Sequence, residues 1–304
     1  MLGKKLTIIG GSGGMGKIFG KLFKSHGFEI TLFARNEHRL KQTAEELEVN
    51  YELDLKKSVD NADIVMVSIP IQSTPKMIKN IAPFLKENSL IFDICSLKSE
   101  TYRALYEVHE KYPINCLSLH PMFGPAIENM KNYVLLALKV GGTEQYNEIL
   151  SEFLRIFEIS GLIVTEIAYE LHDLKIALTL GVPHMFNILF LNLLRRTNET
   201  LSELTKYTGT TFLLQKVFAE SIIQREMEMF GDIQIENNEF HKVLDLFENL
   251  IKEYKNIIKN KDRKGFYKIF SEGLEYSKED YHFNDAYKYF YEFMKILKKN
   301  KIEK

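Results

Sequence analysis

One histidine in this sequence is placed where imidazole chemistry is possible. His120 follows a short apolar run that begins at Cys116, and it opens the segment His120-Pro121-Met122-Phe123-Gly124-Pro125. A strand that ends in a histidine, followed by two prolines and a glycine, delivers an imidazole on a stiff loop at the carboxyl edge of a sheet, where ligands bind in open α/β sheets. Imidazole exchanges a proton near neutral pH. We therefore predict a functional role for His120, with a histidine that only caps a strand as the alternative.

A second predicted strand end also carries polar residues. The segment Asp93-Ile94-Cys95-Ser96-Leu97-Lys98 leaves an apolar run and reaches the same edge of the predicted sheet. Ser96 and Lys98 are therefore candidates for hydrogen bonds to a bound ligand. The alternative for Ser96 is a local role as the N-cap of a helix predicted over Ser99–Tyr112.

His184 is a third candidate in a different setting. It follows Pro183 in an apolar helical stretch that also contains Gly181, and these two breakers predict a kink. A lone histidine on an apolar helix is more often a core residue, so the kink is what favours a position in a cleft. The other six histidines lie among charged residues or at helix ends, and we interpret them as structural or surface residues: His26, His38, His109, His172, His241 and His282.

A glycine-rich turn near the start of the chain predicts a nucleotide site. An apolar strand over Lys5–Ile9 opens into glycines and then into a helix near Met15–Ser25. Strand, turn and helix form the first unit of a dinucleotide-binding fold, in which backbone N–H groups at the helix N-terminus face the phosphates. In this arrangement Gly11 permits the tight turn, Gly13 lets the backbone approach a pyrophosphate, and Gly16 lets helix and strand pack closely. The predicted cofactor contacts in this turn are Gly11, Ser12, Gly13, Gly14, Met15 and Gly16.

The end of the second predicted strand indicates which nucleotide binds. An acidic residue there would bond the free 2′-hydroxyl of NAD, whereas an arginine accommodates the 2′-phosphate of NADP. Here the strand ends in Ala34-Arg35-Asn36, so NADP is the preferred cofactor and NAD remains possible. Arg35 would pair with the phosphate and Asn36 would donate to it; the alternative is that Arg35 only stacks on the adenine or is solvated. Ser68 and Pro70, at the end of another buried strand, are predicted to line the rest of the cofactor site.

The order of predicted elements gives the fold class. Strands and helices alternate through the first half, which predicts an α/β, doubly wound (Rossmann) domain over residues 1–165. Residues 166–304 are predicted to form an all-α domain. Its predicted helices are a kinked Ala168–Arg195, Thr210–Met229, Asn238–Lys259 and Arg263–Lys298, with breaks at Gly231-Asp232 and over Asn260 to Asp262. The aromatic-rich last stretch is either ordinary core or a subunit interface.

Composition excludes several classes of protein. The 40 basic and 41 acidic residues are balanced, so no nucleic-acid partner is indicated. We expect no signal peptide and no membrane span, because the richest apolar run, Ile188 to Leu194, is short and interrupted by Asn192. Two cysteines without metal-ligand spacing predict no metal site and no disulfide framework. We therefore expect a soluble cytoplasmic protein with reduced thiols.

Taken together, these motifs resemble the prephenate dehydrogenase family. The resemblance rests on the glycine turn from Gly10 to Gly16, on Asp93-x-x-Ser96-x-Lys98, and above all on the segment from His120 to Pro125. It implies a nucleotide domain followed by a helical domain, residues 166–304, that binds substrate and forms a homodimer. It also implies a small-molecule substrate, prephenate, which undergoes oxidative decarboxylation in tyrosine biosynthesis. By this resemblance His120 accepts the proton of the substrate hydroxyl, and Ser96 bonds the same hydroxyl or orients the histidine. Lys98 adds positive potential near the anionic substrate, and His184 lines its pocket.

One position departs from the family pattern. The family grips a substrate carboxylate with an arginine in a helix that precedes an Asp-Ile pair. Counting back from Asp232 places Ser221 at that position. Arg225, predicted one helical turn later on the same face, is one substitute, and Lys216, whose local context resembles that of the arginine, is another. This leaves arogenate open as the substrate.

Two further hypotheses remain. One is an oxidoreductase of the β-hydroxyacid dehydrogenase or pyrroline-carboxylate reductase type. For the hydroxyacid group Lys175 would be the catalytic lysine, although Ile176 and Ala177 follow it instead of that group's Gly-x-x-x-Asn context. The other is an NADP-binding sensor without catalysis, supported only by the missing arginine. Oxidation of prephenate would exclude the sensor.

Overall fold

Two compact units make up the protein. The computed structural model describes residues 3–225 and 227–302, with side chains through residue 298. The first unit is Met1–Ile176 and the second is Ala177–Lys304. We expected the boundary at residue 165, whereas the helix Tyr169–Ile176 belongs to the first unit because it packs on the helix Ser99–Lys111. This difference matters because that helix carries two residues of the candidate site.

One eight-stranded sheet organises the first unit. Its strand order is β3-β2-β1-β4-β5-β6-β7-β8, and the described pairings are parallel except that of β6 with β7. This confirms the doubly wound α/β architecture. The strands are β1 (Lys5–Ile9), β2 (Glu29–Phe33), β3 (Asn50–Glu52), β4 (Ile64–Val67), β5 (Leu90–Asp93), β6 (Asn115–Pro121), β7 (Val134–Gly141) and β8 (Ile163–Glu166). The helices are α1 (Gly14–Ser25), α2 (Glu37–Leu47), α3 (Leu55–Val59), α4 (Thr74–Ile81), α5 (Ser99–Lys111), α6 (Tyr146–Ile159) and α7 (Tyr169–Ile176).

Both faces of the central strands β4, β5 and β6 are buried, as their continuous apolar sequences predicted. On one face α1, α2 and α6 cover a cluster in which Phe23 lies within 6.3 Å, centroid to centroid, of the rings of Phe92, Phe153 and Phe157. On the other face α4 and α5 cover a second apolar cluster. Because side chains alternate along a strand, Asp93 of β5 and Ser118 and His120 of β6 share this second face with the helices α4 and α5.

The first unit differs from the sequence prediction in two elements. The edge strand β3 and the helix α3 were not predicted, because three and five residues are too few to show a period. Strand β6 continues through His120 to Pro121, and His120 pairs with Leu136 of β7. The histidine therefore lies at the end of the strand, as predicted, with one further residue, Pro121, still paired with β7.

The second unit is helical, which confirms the predicted class. A π-helical turn over Ala177–Gly181 stands where the kink was predicted, and a π turn is a known cause of helix distortion. The helices are α8 (Val182–Arg196), α9 (Leu201–Thr205), α10 (Thr210–Ile223), α11 (Met227–Ile235), α12 (Asn238–Lys259), α13 (Arg263–Ser277) and α14 (Ala286–Ile302).

Two predicted boundaries in this unit were wrong. Gly231 and Asp232 lie inside α11, and the chain instead breaks after α10 ends at Ile223 and again before Asn237 caps α12. A single glycine in a helix costs only about 1 kcal/mol relative to alanine, so packing overrides it. The predicted long last helix is divided into α13 and α14, with a short 3-10 turn over Phe283–Asp285 between them.

The expectation about membrane spans also needs correction. By length and composition alone, the helical segment Tyr169–Arg196 could cross a membrane. Core helices of globular proteins share this composition. The α7 part of the segment is such a helix, since His172 and Asp173 are buried and hydrogen-bonded to β6 and α5 of the first unit.

We predict that Phe23→Ala lowers the free energy of unfolding by about 3–5 kcal/mol, because a fully buried ring is replaced by a cavity. Urea unfolding followed by circular dichroism measures the change. Phe84→Ala, at a phenylalanine that is 40% exposed, is the control and should cost far less. Equal losses in the two variants would contradict the packing assigned to Phe23.

Candidate active site

The turn between β1 and α1 depends on two glycines. Gly10 has φ +87°, in the left-handed region that favours glycine, and a Cβ there would clash with the carbonyl oxygen of Ser68. We expected Gly11 to make the tight turn, whereas Gly10 is its left-handed residue. At Gly16 a Cβ would lie 2.6 Å from the carbonyl oxygen of Gly10. The helix α1 can therefore approach the turn this closely only with glycine at that position.

The N-terminus of α1 fits the pyrophosphate of a dinucleotide. Gly13 is the N-cap residue and no side chain caps the helix, so the first N–H groups of this 12-residue helix are directed toward the turn. Gly13 and Gly14 have no Cβ that would hold a phosphate at a distance. Ser12 and Met15, the other predicted contacts, are half-buried beside the turn.

The remaining predicted cofactor residues follow the ends of β2 and β4. Arg35 and Asn36 are exposed just beyond β2. The side-chain oxygen of Asn36 accepts from the backbone N–H of Arg39 at 2.9 Å and caps α2, so its amide nitrogen is the group that can donate to a ligand. Ser68 donates its backbone N–H to the carbonyl of Ile9 at 2.8 Å, which brings the segment from Ser68 to Pro70 beside the glycine turn.

His120 lies at the carboxyl end of β6, on the same edge of the sheet as the glycine turn. Its side chain is only 2% exposed. The loop that follows it returns to the nucleotide-binding turn, because a Cβ on Gly14 would lie 2.8 Å from the ring of Pro125. One segment thus connects the imidazole to the N-terminus of α1.

Two residues of α7 complete a hydrogen-bonded chain with His120. Its Nδ1 lies 3.1 Å from Nε2 of His172, and Nδ1 of His172 lies 2.7 Å from Oδ1 of Asp173. We had interpreted His172 as a structural or surface residue. The structure instead buries it completely and places it directly behind His120.

Lys98 is not placed for direct contact with a substrate. Its side chain is 0% exposed, and its Nζ donates to Oδ1 of Asp93 and to the carbonyl of Leu119, at 2.6 Å in both cases. Asp93 also accepts from the backbone N–H of Cys95 and from the hydroxyl of Ser118. The ammonium therefore joins β5 to β6 immediately before His120, and its charge acts on the site from within the protein.

Asp173 supplies the cap that α5 lacks. Lys98 is the N-cap residue of α5, and its own side chain does not cap the helix. The carboxylate of Asp173 accepts the backbone N–H of Lys98 at 2.9 Å and that of Ser99 at 3.0 Å, as well as the hydroxyl of Ser99. Ser96 is therefore not the N-cap of this helix. It lies half-buried between β5 and α5, at the edge where His120 lies.

Burial and charge keep the two histidines neutral. Burial lowers the pKa of His120 well below its ordinary value of 6.5; His172 and the ammonium of Lys98 act in the same direction, and Asp173 opposes them. Burial also lowers the pKa of His172. For Asp173 burial alone would raise the pKa, but hydrogen bonds from His172, Ser99 and the Lys98 backbone lower it to about 2. The site at neutral pH thus contains neutral imidazoles beside a carboxylate.

His184 lies in the second unit, in α8. Its ring meets that of Phe230 edge to face, with centroids 4.6 Å apart, and its buried Nδ1 has no hydrogen-bond partner in the described part of the chain. Burial lowers the pKa of His184 to about 4.

The two candidates for gripping a carboxylate also lie in the second unit. Lys216 of α10 is paired with Glu220 at 3.0 Å. Arg225 is exposed beyond the end of α10, so it does not share a helical face with Ser221, contrary to our expectation. Lys175, named for the hydroxyacid alternative, is on the exposed side of α7.

His172 and Asp173 are the site residues that the sequence did not reveal. The only local signal is a His-Asp pair at the start of an apolar helix. His172 and His120 are 52 residues apart in the sequence, so no local periodicity can predict their contact.

We predict that Lys98→Met lowers the free energy of unfolding by about 3–5 kcal/mol, because it leaves the carboxylate of Asp93 buried and uncompensated. Chemical unfolding measures the loss, and Asp93→Asn added to Lys98→Met should restore part of it. Lys79→Met, which removes a half-exposed ion pair with Glu107 on the same side of the sheet, should change stability little. A loss for Lys98→Met no larger than for Lys79→Met would contradict the buried pair.

Comparisons with known proteins agree with this architecture. The nucleotide-binding domain of prephenate dehydrogenase matches residues 19–139, and the dimerization domain of prephenate dehydrogenase matches residues 168–272. A Methanocaldococcus jannaschii protein named "Probable arogenate/prephenate dehydrogenase" is 30% identical over 89% of this chain and 60% of its own length. The T-protein of Haemophilus influenzae is 25% identical over 88% of this chain and 65% of its own. The chain thus spans less than two thirds of these two relatives.

A solved structure shows the same fold. The crystal structure of prephenate dehydrogenase from Aquifex aeolicus, in complex with hydroxyphenyl propionate and NAD+, superposes with a TM-score of 0.74 at 20% identity. The match covers 92% of this chain and 99% of the other. With both domain models matched in order along the sequence, the chain belongs to the prephenate dehydrogenase family.

Proposed function

We propose that this chain is an NAD(P)-dependent dehydrogenase that oxidises and decarboxylates prephenate, with arogenate as the alternative substrate. The observation that carries the proposal is the neutral, buried imidazole of His120 at the carboxyl edge of the sheet. It lies on a segment that returns to the phosphate-binding turn at Gly14. Membership of the family and the NAD+ in the Aquifex complex support a nicotinamide cofactor.

The reaction needs one proton acceptor on the protein. The ring carbon that bears the hydroxyl of prephenate loses a hydride, for which bound nicotinamide supplies the acceptor. The hydroxyl proton passes to His120, whose Nδ1 is engaged with His172, so Nε2 on the opposite side of the ring receives it. The bond to the ring carboxylate then breaks, carbon dioxide leaves, and the electron pair makes the ring aromatic. The imidazolium returns its proton to the phenolic oxygen, which gives 4-hydroxyphenylpyruvate without net proton release.

The other site residues bind or orient in this proposal. Ser96, half-buried at the same edge, bonds the reacting hydroxyl or orients the histidine. Lys98, whose ammonium is fully buried, makes the electrostatic potential at the site more positive without contacting the substrate. His184, whose buried Nδ1 has no hydrogen-bond partner among the described residues, is a candidate for binding the substrate. Arg225 is favoured over Lys216 for the carboxylate, because the ammonium of Lys216 already pairs with Glu220 whereas the guanidinium is exposed and can bind two oxygens.

The cofactor preference and the assembly are further parts of the proposal. Arg35 beyond β2, without an acidic residue at the strand end, favours NADP over NAD. Exposed aromatic rings on α13 and α14, such as Phe270 and Phe293, favour a homodimer formed through the second unit, as does the match to a dimerization domain. We place the enzyme in the cytoplasm, where its two buried thiols stay reduced.

The activity itself is the first test. Purified protein mixed with prephenate and NADP should produce reduced cofactor, measured by absorbance, and arogenate and NAD in the same assay rank the two substrates and the two cofactors.

His120→Asn should lower kcat by about 10²–10⁴-fold, the usual contribution of a positioned acid–base group, with cofactor affinity unchanged. His109→Asn, at a half-buried histidine of α5, is the matched control. Full turnover by His120→Asn would remove His120 from the mechanism, and no turnover of either substrate by the unaltered protein would favour a nucleotide sensor.

Arg35→Ala tests the preference for NADP. Loss of a charge-assisted contact with the 2′-phosphate should weaken NADP binding by about 10–100-fold and leave NAD nearly unchanged. Titration of both cofactors, followed by protein fluorescence or calorimetry, measures the difference. Arg103→Ala, at an exposed arginine of α5 paired with Glu100, should alter neither affinity. Equal weakening of both cofactors by Arg35→Ala would refute the phosphate contact.

A further inference from the structure

The hydrogen-bonded chain from Asp173 through His172 to His120 has a direction, and its anionic end determines that direction. Asp173 accepts two backbone N–H groups and a hydroxyl at the N-terminus of α5, where the helix also favours negative charge. A carboxylate held by these donors is ionised at neutral pH and acts only as an acceptor. The bond of 2.7 Å to Nδ1 of His172 therefore requires a proton on that nitrogen.

The positions of the next protons follow from this one. A neutral imidazole has a proton on one nitrogen only, so Nε2 of His172 is an acceptor. The nitrogen that faces it, Nδ1 of His120 at 3.1 Å, must then be the donor. With its single proton on Nδ1, His120 has a lone pair on Nε2. Both imidazoles are fully or almost fully buried beside the ammonium of Lys98, which disfavours a second proton on either ring.

We propose that Asp173 and His172 are positioning residues that hold His120 in the Nδ1-protonated tautomer, so that Nε2 is the base. This inference rests on the proposed function for its kinetic consequence, although the tautomer itself needs no substrate. In a solvated histidine the other tautomer, protonated on Nε2, is the more common one. Without the chain, His120 would therefore present a proton rather than a lone pair to the substrate hydroxyl.

Lys98 is hydrogen-bonded at both ends of the series Asp173–His172–His120. Its backbone N–H bonds the carboxylate of Asp173, and its ammonium bonds the carbonyl of Leu119, the residue before His120. Both bonds are buried. One residue, Lys98, thus bonds both α7 and β6. The backbone and side chain of that residue therefore set the distance between these two elements, and with it the distance between the two imidazoles.

The protons are observed directly by nitrogen NMR of protein with ring-¹⁵N histidine, saturated with the oxidised cofactor, at pH 7.5. Nitrogens that carry a proton and nitrogens that do not have well-separated chemical shifts, and the loss of one set of signals in His120→Asn assigns His120. We expect His120 to be protonated on Nδ1 and unprotonated on Nε2. A proton on Nε2 in the unaltered protein would overturn the inference.

Asp173→Asn tests whether kcat follows the tautomer. Oδ1 of Asp173 accepts from both Nδ1 of His172 and the backbone N–H of Lys98. The amide keeps the tautomer if its oxygen takes that place and reverses it if its nitrogen does, which leaves His120 protonated on Nε2. We expect kcat to fall in proportion to the fraction of His120 protonated on Nε2, by up to about 10²–10⁴-fold, at little-changed KM and cofactor affinity. A His120 protonated on Nε2 with unchanged kcat would contradict the inference.

A pair of variants at His172 distinguishes a positioning role from a general loss of structure. The pair also tests the inference if Asp173→Asn does not fold. The amide oxygen of His172→Gln lies close to the place of Nε2 and can accept from His120, so this variant should keep the tautomer and stay within about tenfold of the original kcat. His172→Leu fills the space without an acceptor and should lose both. Equal kcat in the two variants would refute the positioning role. If His120 is protonated on Nδ1 but the protein oxidises neither prephenate nor arogenate, the proposed function is refuted. The inference about the tautomer then still stands.

Discussion

The buried ion pair between Lys98 and Asp93 is the interaction on which the rest of the site depends. Removing both charges from water is costly, and their attraction compensates only when the geometry is good and the other polar atoms are bonded. Here Asp93 also accepts from Cys95 and Ser118, and the ammonium also donates to Leu119. The pair therefore ties the ends of β5 and β6 together at the point where the sheet must present His120.

The same lysine links that pair to a second buried carboxylate. Its backbone N–H is held by Asp173, which also caps α5 and bonds His172. The positive charge of Lys98 lies near His120, whereas the negative charge of Asp173 reaches it only through the intervening ring of His172. This arrangement lowers the pKa of His120 and places an anion two hydrogen bonds away from its ring.

The glycine turn and His120 share one edge of the sheet for a topological reason. Strands β1, β4, β5 and β6 are parallel, so the segments after their carboxyl ends meet on one side. The segment after β6 then packs on Gly14 at the start of α1, which an alanine side chain would prevent. The glycine turn thus serves two purposes: it leaves space for a pyrophosphate, and it leaves space for the loop that follows His120.

The sequence by itself determined the parts of this protein that depend on local patterns. Apolar strands, alternating helices and the glycines from Gly10 to Gly16 predicted the doubly wound sheet, and strand order then places the segments after His120 and Asp93 at one edge. Tertiary structure decided the rest, because the deciding contacts join residues far apart in the chain. His172 is part of the site only because α7 packs beside His120. The side chain of Lys98 is buried because it pairs with the buried carboxylate of Asp93. Gly231 is helical because packing outweighs its weak helix propensity. Local sequence sets which backbone conformations are favourable, whereas the partner of a buried charge or imidazole is set by what the fold brings within about 3 Å of it.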